Sequence, residues 1–384
     1  MKIASIKTVY PEYINLFYSK NMKIKNKDYR YQLDAILDDC AFESNFLLLE
    51  LNKLGYETDL FFYNIEPLQK AWNDEYRNSS LFDILIYQLK TSNPDILLLN
   101  GINIFSEKQI QLLRQELPNL KKIVSWYFGV MNSEVVKKAK YFDQIYTGSN
   151  YYVSLLNCYH NNVRLLYHSF FPDILKKIDN RNLSKSIVFP GSIAYGVQTK
   201  RFELLGKLIE SNLPVDFYGK IYGTLVPDSI INTLRTLNTC RLLELKNIKK
   251  LSHYEKLIRN NMHESVFGLQ YYNIIANSSL CINVHGGCTT LGTGNARMTE
   301  VTGVGTCLVT DYREGNKEMF EPDYEIVEYK STDELIEKCK CLIEHPEKAK
   351  EIALAGQRKT LSKYTYKQKA AQLDCYLKEL MRGY

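Results

Sequence analysis

The sequence predicts an α/β protein of two successive domains, each built on a parallel sheet with helices on both faces. Three observations carry this. The chain has 384 residues, too many for one ordinary domain and suited to two of roughly 150–200 residues each. Short apolar runs alternate with helical patterns from one end to the other, as in strands that feed crossover helices. The alternation then restarts after residues 169–184, a stretch with a proline, several charges and no apolar period. That stretch reads as the linker between a first domain, 1–170, and a second, 185–363.

Residues 2–8 read as the first strand. Residues 31–54 read as a single helix, with apolar side chains at Leu33, Ile36, Leu37, Phe42 and 46–49, closed by Gly55 as a glycine closes a helix C-terminus. Strands follow at 58–63, 95–99, 123–126, 144–147 and 164–167, with a helix over 107–115. The second domain repeats the scheme, with strands at 186–190, 215–218, 280–284 and 306–310 and helices at 200–210 and 296–301. Ser331 and Glu334 form a capping box that opens a helix through Leu342. Pro346 starts a helix that runs to about Leu361. The last helix, 367–381, carries one apolar stripe at Ala370, Leu373, Tyr376, Leu377 and Leu380 and needs a face to bury it. The second domain already has its closing helices, so residues 364–384 are expected to cross back onto the first. Ligands of such sheets sit at the carboxyl ends of the strands, which places the expected site in the cleft between domains.

Composition narrows the function. Hydrophobic residues at 45% and charged residues at 24% supply a core and exclude a disordered chain. A net charge of +6 suits a phosphate-bearing partner such as a nucleotide-sugar and permits loose contact with an anionic membrane surface. It does not argue for nucleic acid, whose binders concentrate basic residues in one stripe. The 29 tyrosines offer flat faces with hydroxyls that suit carbohydrate, although most read as packing. Nine cysteines include no pair at zinc-knuckle or redox spacing and read as free thiols of a reducing cytoplasm. The N-terminus lacks the apolar core of a signal peptide, and no stretch approaches the ~18 apolar residues of a membrane span. A cytoplasmic location is therefore expected. There is no Asp-x-Asp at a strand end, no histidine pair at helical zinc spacing and no Gly-x-Ser-x-Gly elbow, so neither a metal nor a cofactor is expected.

The segment 280–311, LCINVHGGCTTLGTGNARMTEVTGVGTCLVTD, carries the most chemistry. An apolar strand ends at His285. A loop of small residues with Gly286, Gly287, Gly292 and Gly294 follows, and a helix starts near Asn295. Free N–H groups and the positive dipole end of that helix suit a diphosphate. Arg297 in the first turn can pair with a phosphate, and Glu300, on the same face, can accept both hydroxyls of a ribose. A plain turn before a helix fits the same spacing, because the full dinucleotide fingerprint is missing. Gly191 and Ser192 follow the first strand of the second domain in the same way, ahead of a helix with Lys200 and Arg201, whose cations can neutralise a diphosphate.

These fragments, in this order, resemble the CgeB-like (spore-maturation type) glycosyltransferases, relatives of the group 1 glycosyltransferases. The resemblance runs almost end to end. It rests on Tyr10-Pro11-Glu12-Tyr13, Leu37-Asp38-Asp39-Cys40 and Glu66-Pro67-Leu68, then on Phe189-Pro190-Gly191-Ser192, Val266-Phe267-Gly268-Leu269 and Asn283-Val284-His285. It continues through Asn295-Ala296-Arg297-Met298-Thr299-Glu300, Phe320-Glu321-Pro322 and Ala355-Gly356-Gln357. The resemblance implies a GT-B fold, two Rossmann-like domains facing across a cleft, with the donor held by the second. It implies that Glu300 holds the donor ribose, that Gly191 and Ser192, with Arg201 near them, receive the diphosphate, and that Gly268 and Leu269 lie beside the donor. The chain departs from the group 1 pattern at Gly292, where the first of two paired glutamates would stand.

The leading reading is metal-independent transfer of a sugar from a nucleotide diphosphate to a hydroxyl of a glycan, protein or small molecule. Asn295, Arg297 and Arg201 would meet the leaving diphosphate. Tyr10 and Tyr13 would contact the acceptor. His285 and Asp39 are the candidate catalytic residues, with Glu43 a further possible base. A nucleotide-sugar epimerase and a non-catalytic sugar- or nucleotide-binding protein are the alternatives.

Overall fold

The computed structural model describes residues 1–43, 45–129, 131–179, 184–194, 199–223, 241–285 and 292–383. Two six-stranded parallel sheets organise the chain. The first holds β1 (Lys2–Lys7), β2 (Glu57–Phe62), β3 (Ile96–Leu99), β4 (Lys122–Trp126), β5 (Gln144–Thr147) and β6 (Val163–Leu165), in the order β2-β1-β3-β4-β5-β6. The short strands β8 (Ile193–Ala194) and β10 (Ile221–Tyr222) pair with each other. The second sheet holds β7 (Ser184–Pro190), β9 (Val215–Tyr218), β11 (Met262–His263), β12 (Ser278–Asn283), β13 (Cys307–Asp311) and β14 (Val327–Tyr329), in the order β11-β9-β7-β12-β13-β14. The described helices are α1 (Pro11–Lys20), α2 (Tyr29–Asp38), α3 (Phe46–Lys53), α4 (Glu66–Lys70), α5 (Leu81–Ser92), α6 (Glu107–Glu116), α7 (Ser133–Ala139) and α8 (Asn150–Asn157), then α9 (Thr199–Glu210), α10 (Arg241–Asn260), α11 (Gly268–Ala276), α12 (Ala296–Val304), α13 (Asn316–Met319), α14 (Thr332–Glu344), α15 (Pro346–Lys363) and α16 (Tyr366–Arg382).

The central strands are continuous apolar runs because both faces are covered. All four residues of β3 are buried. One face of the first sheet packs against α5 and α6 through Leu85, Leu89, Ile110 and Leu113. Its other face receives α3 and α16. Leu373 and Leu377 of α16 are buried among Ile3, Leu48, Leu51, Ile96, Leu98, Val124 and Leu166. The chain therefore passes between the sheets twice, and the two passages touch: the Phe170 N–H donates to the Tyr364 carbonyl, and the Tyr366 N–H to the Phe170 carbonyl. The Ser331 hydroxyl accepts from the Glu334 N–H at 3.1 Å, but the Glu334 carboxylate accepts from the Lys330 N–H at 2.8 Å and not from that of Ser331, so only half of the expected box forms. Among the described residues no helix is long and apolar enough to cross a membrane, and the seven described cysteines are free thiols.

One element differs from expectation. The helix expected over 31–54 is two helices, α2 and α3, broken where Cys40, Phe42 and Glu43 take φ of 58°, 52° and 59°. Left-handed backbone is costly for such side chains and persists only where tertiary contacts fix it. Here the contacts are plain: Cys40 and Phe46 enter a cluster with Val188, Tyr272 and Met298 of the second half, and Glu43 turns to His168. The linker expected over 169–184 also ends early, since Ser184 already belongs to β7.

Leu373 is 1% exposed, so Leu373→Ala should cost roughly 2–5 kcal/mol in urea unfolding followed by circular dichroism. A loss within about 0.5 kcal/mol, the range of surface substitutions, would show that α16 is not part of the first sheet's core.

Candidate active site

The order of the second sheet reverses between β7 and β12, and the crevice beyond such a reversal is where α/β sheets take ligands. Two arginines span it. Arg201, from the first turn of α9, donates from Nη1 to the Ser192 carbonyl at 2.8 Å and from Nη2 to the Val284 carbonyl at 2.7 Å. Arg297, from the first turn of α12, donates from Nη1 to Asn283 Oδ1 at 3.2 Å and from Nη2 to the Pro190 carbonyl. Each guanidinium lies 5.7 Å from the centroid of the Phe189 ring, the shared cation–π partner. Asn283 fixes the α12 start: it exchanges amide hydrogen bonds with Asn295, the residue before the helix, and donates to Thr310 Oγ1 at 3.0 Å.

These groups are poorly satisfied. Among the described residues, Nε of Arg201, Nε of Arg297 and Nε2 of His285 are buried and have no hydrogen-bond partner. Burial, with Arg297 nearby, pushes Arg201 down to about 10. Orphaned buried donors are rare enough in folded proteins to call for an explanation, and a ligand is one. Gly191 leaves room for it: a Cβ there would lie 3.2 Å from Arg297 Nη2.

Glu300, one turn beyond Arg297, is half-buried. Its Oε2 accepts from the Tyr271 hydroxyl at 2.7 Å, while Oε1 has only a 3.5 Å contact to the Tyr272 hydroxyl. Burial raises its carboxyl, opposed by the Tyr271 hydrogen bond and Arg297. His285, at the end of β12, is buried and donates from Nδ1 to Asp311 Oδ1 at 2.7 Å. Burial alone would raise Asp311, but the His285 hydrogen bond and charge, with Arg313, outweigh it and hold the carboxyl at about 2. The pair fixes the ring of His285 and leaves Nε2 as its unused atom.

The first half supplies the facing surface. The Leu269 N–H donates to the Asp39 carbonyl at 2.8 Å. Gly268, at φ +57°, passes so close that a Cβ would lie 2.2 Å from that carbonyl. Gly268 and Leu269 thus join the two halves at Asp39. Tyr10 is 63% exposed, whereas Tyr13 is 2% exposed and packs edge-on against Phe42 and Phe267. Tyr13 is a packing residue, and of the two tyrosines only Tyr10 is free to meet an acceptor. Gly286, Gly287 and the side chain of Lys200 lie outside the described residues, as do Cys240 and Cys288. Among the described residues no group of three or more His, Cys, Asp or Glu side chains is arranged to hold a metal ion. Sequence reading missed Asp311, Tyr271 and His168, whose importance comes only from contacts. His168 Nδ1 donates to Glu43 Oε1 at 2.9 Å, bridging 125 positions.

Residues 201–374 match the family described as glycosyl transferase-like. A search of curated proteins finds no match. Among solved structures, the chain is similar to sucrose-phosphate synthase from Thermosynechococcus elongatus, with a TM-score of 0.56 and 10% identity over 100% of both chains. It is similar to Anabaena HepE in complex with UDP and glucose, with a TM-score of 0.57 and 12% identity over 99% of this chain and 100% of that one. The fold is GT-B. AviGT4, a glycosyltransferase involved in avilamycin A biosynthesis, matches at a TM-score of 0.56 and 11% identity over 100% of this chain and 99% of that one. At these identities the structural likeness is one of fold; joined to the family match over the C-terminal part, it supports a glycosyltransferase.

The Asp39 carboxyl sits between the halves, where burial raises it to about 6 against the opposing charge of Lys20. A raised folded-state value means that ionisation opposes folding: the penalty is absent below the unfolded value near 4 and complete above about 6. Asp39→Asn should therefore melt above the parent at pH 7.5, with the gap closing as pH falls from 6 to 4. A gap independent of pH across that window would contradict the assignment.

Proposed function

We propose that the protein is a metal-independent glycosyltransferase of the CgeB-like type that moves a sugar from a nucleotide diphosphate to an acceptor hydroxyl. The observation that carries this is the pair of buried arginines bridging β7 and β12. In such a transfer, negative charge grows on the leaving diphosphate. Arg201, Arg297 and the N-terminus of α12 supply preorganised positive potential at that place. The guanidiniums now donate to chain carbonyls, which a phosphate would displace or share. Glu300, with Oε1 weakly engaged, takes the ribose. The complexes of HepE with UDP and UDP-glucose make UDP the first nucleotide to test. In this reading residues 1–170 face the acceptor, residues 185–363 hold the donor, and 364–384 return to the first half. His285, oriented by Asp311, contacts the transferred sugar. Asp39, with its carboxyl near neutrality, is the candidate base, and Tyr10 contacts the acceptor.

One observation favours a second reading, a nucleotide-sugar-binding protein without transfer: Gly292 stands where the paired glutamates of group 1 enzymes would begin. Incubation with a panel of nucleotide-sugars separates the two, because a transferase releases nucleotide slowly even to water whereas a binding protein does not.

Calorimetric titration with UDP in the presence of a chelator should show binding. Glu300→Ala should weaken it roughly ten- to hundredfold, as expected for a charge-assisted hydrogen bond of about 1.5–3 kcal/mol, with little change in melting temperature. Metal-dependent binding would refute metal independence, and an unchanged Kd would remove Glu300 from the donor site.

A further inference from the structure

The positive charge of the chain is concentrated where the donor site does not use it. Residues 20–31, KNMKIKNKDYRY, hold five cations and one carboxylate, a net of +4 against +6 for the whole chain. The one acid, Asp28, serves the start of α2, where its carboxylate accepts from the Tyr31 N–H at 2.8 Å. Arg30 pairs with Asp34 at 3.0 Å, and Lys20 donates to Gln270 Oε1 of α11 at 3.3 Å. Lys23, Lys25 and Lys27 are exposed and, among the described residues, make no close ion pair. Glu66 feels Lys25, but that carboxylate is already held by Lys70 at 2.6 Å.

An apolar side chain stands among these cations. Met22 is 75% exposed, more than any other large hydrophobic side chain among the described residues, and Tyr31 is 53% exposed. The backbone beneath them is fixed. Gln32, fully buried, accepts from the Tyr18 hydroxyl at 2.7 Å and donates to the Lys27 carbonyl at 2.7 Å. Asn21 Nδ2 donates to the Phe17 carbonyl at 2.9 Å. Ile24 and Tyr29 pack inward against the cluster of Tyr13, Phe17 and Leu33. The fold therefore uses the inner side of this loop. Its outer side sets like charges close together, which opposes the compact state, and leaves a methionine in water.

We propose that residues 20–31 dock the protein on an anionic lipid bilayer. Clustered lysines are drawn to the surface potential of acidic lipids, each strengthening the contact roughly fivefold. Met22 enters the acyl boundary and Tyr31 the headgroup level. A polyanion in water would meet the lysines and leave Met22 exposed, so the methionine favours the bilayer. The helix α1, about 15 Å long, joins this loop to Tyr10, and Lys20 reaches Gln270 of the second half. The bilayer would thus lie beside the boundary between the halves. The docking surface does not rest on the transferase reading.

The test is co-sedimentation of the full chain with vesicles of phosphatidylcholine alone and of phosphatidylcholine mixed with phosphatidylglycerol, beside calorimetric titration with polygalacturonate and with UDP. The acidic vesicles should bind the protein and the neutral ones should not. Lys23→Gln, Lys25→Gln and Lys27→Gln together should weaken that binding roughly a hundredfold, and Met22→Ser alone roughly three- to tenfold. Both variants should melt no lower than the parent and bind UDP as the parent does; a lower melting temperature would show that these side chains serve the fold instead. Salt gives a readout that needs no variant. About 0.5 M shortens the screening length to roughly 4 Å and should release the unaltered chain from acidic vesicles. Equal binding to both kinds of vesicle, binding to neither, binding that survives the triple substitution, or binding that resists the salt would overturn the proposal. So would polygalacturonate binding as tight as that to acidic vesicles and indifferent to Met22→Ser, which would make the loop a site for soluble polyanions.

Discussion

Two guanidinium groups held against one phenyl ring, at the point where the second sheet reverses, set the terms for the rest of this molecule. Arg201 and Arg297 are like charges, both desolvated, both near Phe189, and each has a buried Nε with no partner among the described residues. Leaving a buried donor unsatisfied costs on the order of 1–3 kcal/mol. Carbonyls at the ends of β7 and β12 offset part of that cost, and the strand ends are in turn locked by Asn283 and its bonds to Asn295 and Thr310. In the transferase reading proposed above, this arrangement would hold positive potential where the diphosphate leaves, without reorganisation at the moment of reaction.

The two halves are not loosely hung lobes. Gly268 and Gly294 let backbone approach backbone across the cleft: a Cβ at Gly294 would lie 2.4 Å from the Gly148 carbonyl. The two chain passages meet at Phe170 and Thr365. Charged groups form a chain over the same boundary, since Glu300 feels both His168 and Glu43, and Glu43 feels Lys7 and Lys369.

Strands were legible because buried parallel strands are short apolar runs, as Ile96–Leu99 shows. Caps were legible where the bonding is local, as at Ser331. The break at 40–43 was not, because Phe42 and Phe46 continue the helical period while the contacts that decide the break, His168 and Tyr272, lie far along the chain. At the site, Asn295, Arg297 and Glu300 were legible from loop chemistry before a helix. The direction of each guanidinium was not, because it depends on carbonyls of other strands. Tyr10 and Tyr13 look alike in sequence and differ wholly in burial.

The central claim is that the arginine pair receives the donor diphosphate, and a crystal structure of the protein with UDP tests it most directly. The account predicts diphosphate oxygens within hydrogen-bond distance of both Arg201 and Arg297, with Glu300 Oε1 on the ribose. UDP bound elsewhere, with both guanidiniums still turned only to the carbonyls of Ser192, Val284 and Pro190, would contradict it.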